Sequence, residues 1–403
     1  MKVLMITSAY PSNITQSHGI IIASLANALS QKGIEICILA PKTTSKTPDT
    51  LNENVKVFRF NYFFRRKMQI LSEGPGLYFQ FQSYLLAKIQ IPFFLFFELI
   101  FLILIIKKEN PDLIHTHWII PHGIIGAIVH KFLGIPHLIS IHGTDAYIIS
   151  SNRYYIQFLK MVLSNSNAIS ANSTHNAKMI EPFIISNSRK ISIIPMGMGI
   201  QIPPIPSLKT RQINRKKNLN ILFVGRLIEL KGVDILIKAF VHILEKKPIA
   251  KLIIIGDGPE FQSLKQYSHN FSISHAVKFT GRLSKDELYD YYKIADLLVL
   301  PSRIVNGQCE GLGVVLLEAM AAGIPVIGSN IGGIPDIIID KVNGLLVPQG
   351  EPHVLAEAVI QVLENPKLAE KFKKAGLETV NERFSWDIIS AQFVDIYKKV
   401  LNK

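Results

Sequence analysis

Cysteine is nearly absent from this sequence: Cys37 and Cys309 are the two among 403 residues. So few exclude a disulfide-stapled scaffold and a cysteine-based zinc ribbon, and they suit a reducing compartment. Charge is sparse as well, at 18% of residues, and acid is the scarcer sign, with 30 Asp and Glu against 44 Lys and Arg. Low charge beside 48% hydrophobic residues excludes a disordered chain. Extended apolar runs are few. Val3–Ile6 gives way to polar residues at Thr7, too brief for a signal-peptide core, so a cytoplasmic location is expected. Ile91 to Ile106 is sixteen residues, apolar apart from Glu98 and interrupted early by Pro92. At about 1.5 Å per residue it reaches roughly 24 Å, short of the ~30 Å hydrocarbon core. A buried or interfacial helix is therefore expected, not a spanning one.

What is present is basic. The formal net charge is +14, and residues 1–200 carry 18 Lys and Arg against 9 Asp and Glu. Few aromatics interleave with these cations and no nucleic-acid motif appears, so nucleic acid is not expected as a partner. An anionic membrane surface or a phosphorylated substrate fits better. The cluster Arg65-Arg66-Lys67 and the aromatics Tyr78, Phe79, Phe81 and Tyr84 lie just before the apolar run. Basic and aromatic residues beside an apolar helix are what an interfacial patch needs.

Short apolar runs and amphipathic segments alternate from end to end. Val3–Ile6 reads as a strand, Ile20–Ser30 as a helix and Glu35–Leu39 as a second strand, with Gly33 at the helix stop. Asp112–His115, His137–Ser140, Ala168–Ala171 and Ser192–Ile194 continue the series. A break follows, with Pro203, Pro204 and Pro206 and then five basic residues between Lys209 and Asn220. The pattern restarts with Ile221–Val224, Lys251–Ile255, Val277–Phe279, Leu297–Leu300, Pro325–Ile327 and Gly344–Val347. Ser284-Lys285-Asp286-Glu287 reads as a capping box. This alternation implies parallel sheets with crossover helices: two doubly wound α/β domains, over 1–200 and 215–383, with a terminal helical segment, 384–403. Ligands of such sheets bind beyond the carboxyl ends of the strands.

Two segments carry chemistry. In Gly225-Arg226-Leu227-Ile228-Glu229-Leu230-Lys231-Gly232 a strand ends and two cations follow five residues apart; Gly225 permits a close backbone approach. A guanidinium fork and a point charge suit a diphosphate. The second runs from Glu310 through Gly311, Leu312, Gly313 and Val314 to Glu318 and AMAAGIPV. It places N–H groups at a helix start, which favours anions, and a carboxylate inside an apolar helix, where it needs partners. Six histidines lie between His115 and His142, and His142 alone among them precedes a glycine and a nearby carboxylate, Asp145. His115 and His117 share one strand face; packing beside Trp118 and contact with an acceptor both stand open for them. Cys309 adjoins Glu310 and is assigned no nucleophilic role.

The Arg–Lys loop and the E-x7-E segment resemble the retaining glycosyltransferases of family 4, with the GT-B fold. IIIGDGPE at 253–260, FTGRLSKDEL at 279–288, DLLVLPS at 296–302, SNIGGIPDII at 329–338 and FSWDIISAQFVDIYKKVL at 384–401 agree in order. In the first half the likeness rests on HTHWIIPHG at 115–123, ISIHGTDAY at 139–147, ISANS at 169–173 and IPMGMGI at 194–200. It implies two Rossmann-like domains facing a cleft, with the terminal helix crossing back to the first. It implies that Arg226 and Lys231 hold the diphosphate of a UDP- or GDP-sugar, Glu318 the ribose and Glu310 the sugar hydroxyls, with His142 near the reacting carbon. Gly19, Asn172, Gly225 and the helix start Gly311, Leu312, Gly313 and Val314 join the binding set, and backbone at Arg282 and Leu283 receives the base. A lipid-linked or oligosaccharide acceptor is expected at the inner membrane surface. No Asp-x-Asp pair occurs, so no metal or other cofactor is expected beyond the nucleotide-sugar. Two other readings compete. A metal-dependent hydrolase would use His115, His117, His142 and Asp145. A non-catalytic sugar-binding protein with two α/β domains would typically be exported, which the brevity of the apolar run Val3–Ile6 does not suit.

Overall fold

The computed structural model describes residues 1–11, 19–43, 54–72, 77, 80–81, 84–143, 145, 147, 153–184, 191–199 and 219–402. Tyr78, Phe79 and the proline-rich and basic stretch before Asn218 lie outside the described residues. The chain divides into two units, Met1–Gly199 with Trp386–Lys403, and Ile200–Ser385.

The first unit runs β1 (Lys2–Ile6), α1 (Ile20–Gln31), β2 (Glu35–Pro41), β3 (Val55–Phe60), α2 (Leu85–Glu109), β4 (Leu113–His117), α3 (Ile124–Leu133), β5 (His137–Ile141), α4 (Arg153–Ser164), β6 (Ala168–Ala171), α5 (Thr174–Ile180) and β7 (Ile191–Ile193). Its seven strands lie in the order β3-β2-β1-β4-β5-β6-β7, all parallel. The central strands are buried on both faces, which is why they read as unbroken apolar runs. Strand β3 escaped the sequence reading because VKVFRF carries Lys56 and Arg59. It is the edge strand, where charge guards against stray pairing.

The second unit runs β8 (Leu219–Val224), α6 (Val233–Lys246), β9 (Ala250–Ile255), α7 (Phe261–Asn270), β10 (Val277–Gly281), α8 (Lys285–Ile294), β11 (Leu297–Leu300), α9 (Val314–Ala321), β12 (Val326–Ser329), α10 (Ile334–Ile337), β13 (Leu345–Val347), α11 (Pro352–Glu364) and α12 (Pro366–Arg383). Its six-stranded sheet has the order β10-β9-β8-β11-β12-β13, again parallel. Helix α8 starts at the expected capping box: Ser284 Oγ accepts the Glu287 N–H at 3.4 Å, and the Glu287 carboxylate accepts the Ser284 N–H at 2.8 Å. Each sheet reverses its strand order at one place, between β1 and β4 and between β8 and β11. Loops diverge there, and a ligand can sit beyond the strand ends.

The last helix, α13 (Trp386–Val400), belongs to the first unit. Trp386 Nε1 donates to the Met198 carbonyl at 2.9 Å, Lys32 meets Asp387 at 2.6 Å, and the Tyr397 hydroxyl lies 2.7 Å from His115 Nδ1.

One expectation is corrected. The apolar run is not a sixteen-residue helix; α2 has 25 residues and accommodates Pro92 in its interior. At about 1.5 Å per residue that is roughly 37 Å, so length no longer argues against a span. Burial does. Phe94, Leu102 and Ile105 on one face are packed into the core with Phe60 and Tyr62, and Glu98 and Gln90 on that same inner side are 0% exposed.

Candidate functional site

In the second unit the decisive residues gather past β8 and β11, the two strands flanking the order reversal. Gly225 ends β8, and a side chain built there would meet the Phe223 ring at 3.2 Å. Arg226 follows, half-buried, and burial lowers its pKa. Lys231 closes the loop, and its Nζ lies 2.5 Å from Glu310 Oε2 in the loop after β11. Ser302 Oγ donates to that same oxygen at 3.1 Å. The two residues assigned to diphosphate and sugar are thus partners of each other. Both are mostly shielded, with side chains 18% and 12% exposed, so the pair is worth more than a solvated surface bridge.

Gly311, Leu312 and Gly313 lead into α9, whose first residue is Val314 and whose N-cap is Gly313. The first N–H groups of a helix lack intrahelical acceptors and carry the positive end of its dipole. What presses this loop into place is the Gly332-Gly333 pair of SNIGGIPDII. A side chain at Gly332 would fall 2.2 Å from the Glu310 carbonyl, and one at Gly333 would fall 2.2 Å from that of Gly311. One turn further along α9, Glu318 is 8% exposed and accepts from the Tyr292 hydroxyl at 2.9 Å. Burial raises its pKa to about 7, against the opposing effect of that hydrogen bond. Arg282 is exposed and Leu283 half-buried, just past the edge strand β10.

The first unit builds a different constellation. Gly19 caps α1 at φ 80°, and a side chain there would collide with the Ala9 carbonyl at 2.4 Å, so the loop after β1 closes on α1 only with glycine. His142, just past β5, stacks on His117 with ring centres 5.3 Å apart, their Nε2 and Nδ1 atoms separated by 3.1 Å. The Trp118 ring centre is 4.7 Å from that of His142. Trp118 holds φ 70° and ψ 140°, a conformation worth about 1–3 kcal/mol of strain in a non-glycine residue. Asp145 fixes the corner: its carboxylate accepts the N–H groups of Ile119 at 3.0 Å, Gly143 at 2.9 Å and His142 at 3.2 Å. Asn172 supports His142 from below, donating to its carbonyl at 3.2 Å while accepting from Asn176 at 2.6 Å. Its side chain is therefore committed to the protein.

His115 and His117 are 0% exposed. His115 spends both ring nitrogens, on Tyr397 and on Ser140, each at 2.7 Å, and packs against Phe393. Its ring neighbours are Phe393 and Tyr397 of α13, whereas His117 is the one beside Trp118. Burial first, and neighbouring histidines second, hold both far below the ordinary imidazole range, and burial takes His142 down to about 3. With His115 saturated and Asp145 occupied by backbone, the hydrolase donor set is not assembled. Among the described residues no three His, Cys, Asp or Glu side chains converge in a way that could hold a metal.

Residues 207–379 match the family described as Glycosyl transferases group 1, and residues 19–201 match Glycosyltransferase Family 4. An uncharacterized glycosyltransferase of Methanocaldococcus jannaschii is 31% identical over 284 residues, 70% of this chain and 74% of its own length. The chain belongs to the group 1 glycosyltransferases of family 4. Sucrose-phosphate synthase from Thermosynechococcus elongatus superposes with a TM-score of 0.78 at 23% identity, covering 100% of this chain and 99% of that one. Anabaena Alr3699/HepE, solved in complex with UDP, gives 0.72 at 18% identity over 99% and 100%. Both show the shared GT-B fold. The protein is a nucleotide-sugar-dependent glycosyltransferase.

For a glycosyltransferase of this family, the sequence had pointed to the charged groups. It had not pointed to those that hold them: Tyr292 on Glu318, Ser302 on Glu310, Asp145 at the histidine corner. Asp145 alone carried a signal, its place three residues after His142, and it was read as a metal ligand.

Proposed function

We propose that this glycosyltransferase transfers a sugar from a UDP- or GDP-sugar to a lipid-linked or oligosaccharide acceptor of cell-surface glycan biosynthesis, with retention at the anomeric carbon and without a metal ion. It does so as a cytoplasmic protein peripheral to the inner face of the cell membrane. The first unit serves the acceptor and the second, over 215–383, the nucleotide-sugar. The observation that carries this reading is the meeting of Lys231 and Glu310 at the strand-order reversal, beside Arg226 and the start of α9.

The chemistry follows from those charges. As the bond from the anomeric carbon to the diphosphate oxygen breaks, negative charge grows on the diphosphate. In this reading Arg226, Lys231 and the N–H groups from Gly311 to Val314 receive it, and charges held in place before the reaction keep reorganisation in the transition state small. An ammonium has three donors. Lys231 can keep one on Glu310 and turn another to a phosphate oxygen. Glu310, with one oxygen held by Lys231 and Ser302, offers the other to sugar hydroxyls. Glu318 accepts from the ribose. His142, neutral at pH 7, lines the sugar without adding a positive charge that would compete for the diphosphate. The acceptor hydroxyl bonds to the anomeric carbon on the face that the diphosphate leaves, and its proton passes to a leaving phosphate oxygen.

Purified protein given UDP- and GDP-sugars in excess EDTA should release nucleoside diphosphate. With an acceptor, NMR should show the product keeping the donor's anomeric configuration. Loss of turnover in EDTA that Mn²⁺ or Mg²⁺ restores, or an inverted product, overturns the mechanism.

A further inference from the structure

Helix α2 is built inside out. In an ordinary surface helix the polar residues face water and the apolar ones face the core. Here Gln90 and Glu98 are 0% exposed and turned inward: the Gln90 amide oxygen accepts the Ile70 N–H at 3.2 Å, and Glu98 pairs with buried His122. From Ile89 to Leu104 every exposed side chain is apolar: Ile89, Pro92, Phe96, Ile100 and Leu104. Steps of three and four put them on one stripe. Phe64, 85% exposed, stands beside this stripe with its ring 5.8 Å from Phe93. Between them lies an open, largely apolar notch lined by Asn61, Phe63, Phe64, Phe93, Phe97 and Phe101.

Among the described residues of α2, exposed charge sits at the borders of the stripe: Lys88 marks one end, and Lys107 and Lys108 mark the other. Arg65 and Lys67, both exposed, follow Phe64. The acids of the helix are withdrawn, Glu98 into the core and Glu109 onto Lys2 and Lys56. At the end of α3, Lys131 is exposed beside Phe132, 76% exposed, and Leu133, 52% exposed. An apolar strip rimmed by cations at both ends matches a bilayer interface: acyl chains in the middle, anionic headgroups at the rim. Long lysine stems can lie along the apolar surface while their ammonium groups reach the headgroups.

We infer that the outer face of α2, with Phe64 beside it, docks flat onto an anionic lipid bilayer. Helix α2 runs along the interface and does not cross it, because its inner face is the core of the first unit. The proposal rests on the reading of an enzyme that works at the inner membrane face.

The test is flotation of the full chain with vesicles of phosphatidylcholine containing about one third phosphatidylglycerol, beside vesicles of phosphatidylcholine alone. Binding is expected to the anionic vesicles and to fall several-fold in 1 M NaCl, where the Debye length drops from about 10 Å at 0.1 M to about 3 Å. The double variant Phe96→Asp/Ile100→Asp should lose at least tenfold in bound fraction, and Lys107→Glu/Lys108→Glu should lose several-fold. The substituted side chains point to solvent, so an unchanged melting temperature is expected in each variant. Phe64→Ser in the neighbouring loop supplies an independent variant with the same expected loss. Equal flotation of wild type and Phe96→Asp/Ile100→Asp overturns the proposal, as does binding indifferent to salt, which means insertion across the bilayer. A concentration-dependent dimer that forms without vesicles and disappears in Phe96→Asp/Ile100→Asp assigns the face to a second copy and also overturns it. Nucleotide-sugar turnover is measured on the same samples. Turnover without flotation sinks the docking face alone, and flotation without turnover sinks the functional reading alone.

Discussion

The two units handle charge in opposite ways. The first holds His115 and His117 on β4, His137 at the start of β5 and half-buried His142 just past its end, and desolvation keeps all four imidazoles neutral at pH 7. The second keeps charged side chains at its strand ends, with Lys231 on Glu310 at 2.5 Å and Arg226 half-buried in the same loop as Lys231. A neutral imidazole corner can position hydroxyls through geometry, but it cannot stabilise an anion. A lysine, an arginine and a helix start can. That contrast supports the proposed division of labour, in which the diphosphate goes to the second unit.

The largest test of that contrast removes the cations. Arg226→Ala and Lys231→Ala should each lower turnover by about a hundred- to a thousandfold, the loss that follows removal of one preorganised donor (about 2.7–4 kcal/mol). Lys231→Ala should also destabilise the second unit, because it leaves Glu310 shielded and without its ion pair. Arg226→Ala should leave the melting temperature near that of wild type. A folded variant of either kind with near-normal turnover would separate these cations from the chemistry.

The next test uses acid against the first unit. His137 and His142 sit at about 3 when folded, whereas an unfolded histidine titrates near 6.5. Between those values the unfolded chain binds more protons, so stability is greatest above pH 6.5 and is lost as pH falls. Each such histidine contributes a slope of up to about 1.4 kcal/mol per pH unit. Calorimetry from pH 7.5 to 5.5 should show the transition of the first unit moving down before that of the second. A first unit indifferent to this range would mean that the imidazoles titrate in the folded unit as they do in the unfolded chain.

Much of this architecture could be read from sequence because parallel strands buried on both faces leave unbroken apolar runs, as LLVL at β11 does. Arg226, Lys231, Glu310 and Glu318 stood out for the same kind of reason: charge beside glycine or inside an apolar helix is unusual enough to be seen. Long-range pairings were invisible. Tyr397 reaches His115 across 282 positions, and nothing local to either residue announces the other. Helix α2 is longer than its apolar run because the polar residues that bound that run, Gln90 at one end and Lys107 and Lys108 at the other, are themselves helical.

The smallest expected effect separates the two glutamates of the second unit, and it uses pH as the probe. Glu318, raised to about 7 by burial, is near half-ionised at neutral pH. If ribose hydroxyls donate to it, the bound nucleotide favours the carboxylate, so affinity should rise with pH through 7 and then level off. Between pH 6 and pH 8 the ionised fraction of such a group grows by about tenfold, which limits the change to about 1.4 kcal/mol. The nucleotide's own phosphate titrates in the same range, so the comparison is with Glu318→Gln, which carries no titrating carboxyl. Calorimetry with free UDP should show wild type gaining severalfold more affinity than Glu318→Gln from pH 6 to pH 8, with weaker binding by Glu318→Gln at pH 8. Glu310→Ala should keep the wild-type pH profile and near wild-type UDP affinity while losing sugar transfer, since its proposed partners are absent from the free nucleotide. Equal affinity losses in the two variants would place both carboxylates on the same part of the donor and erase the division of labour between them.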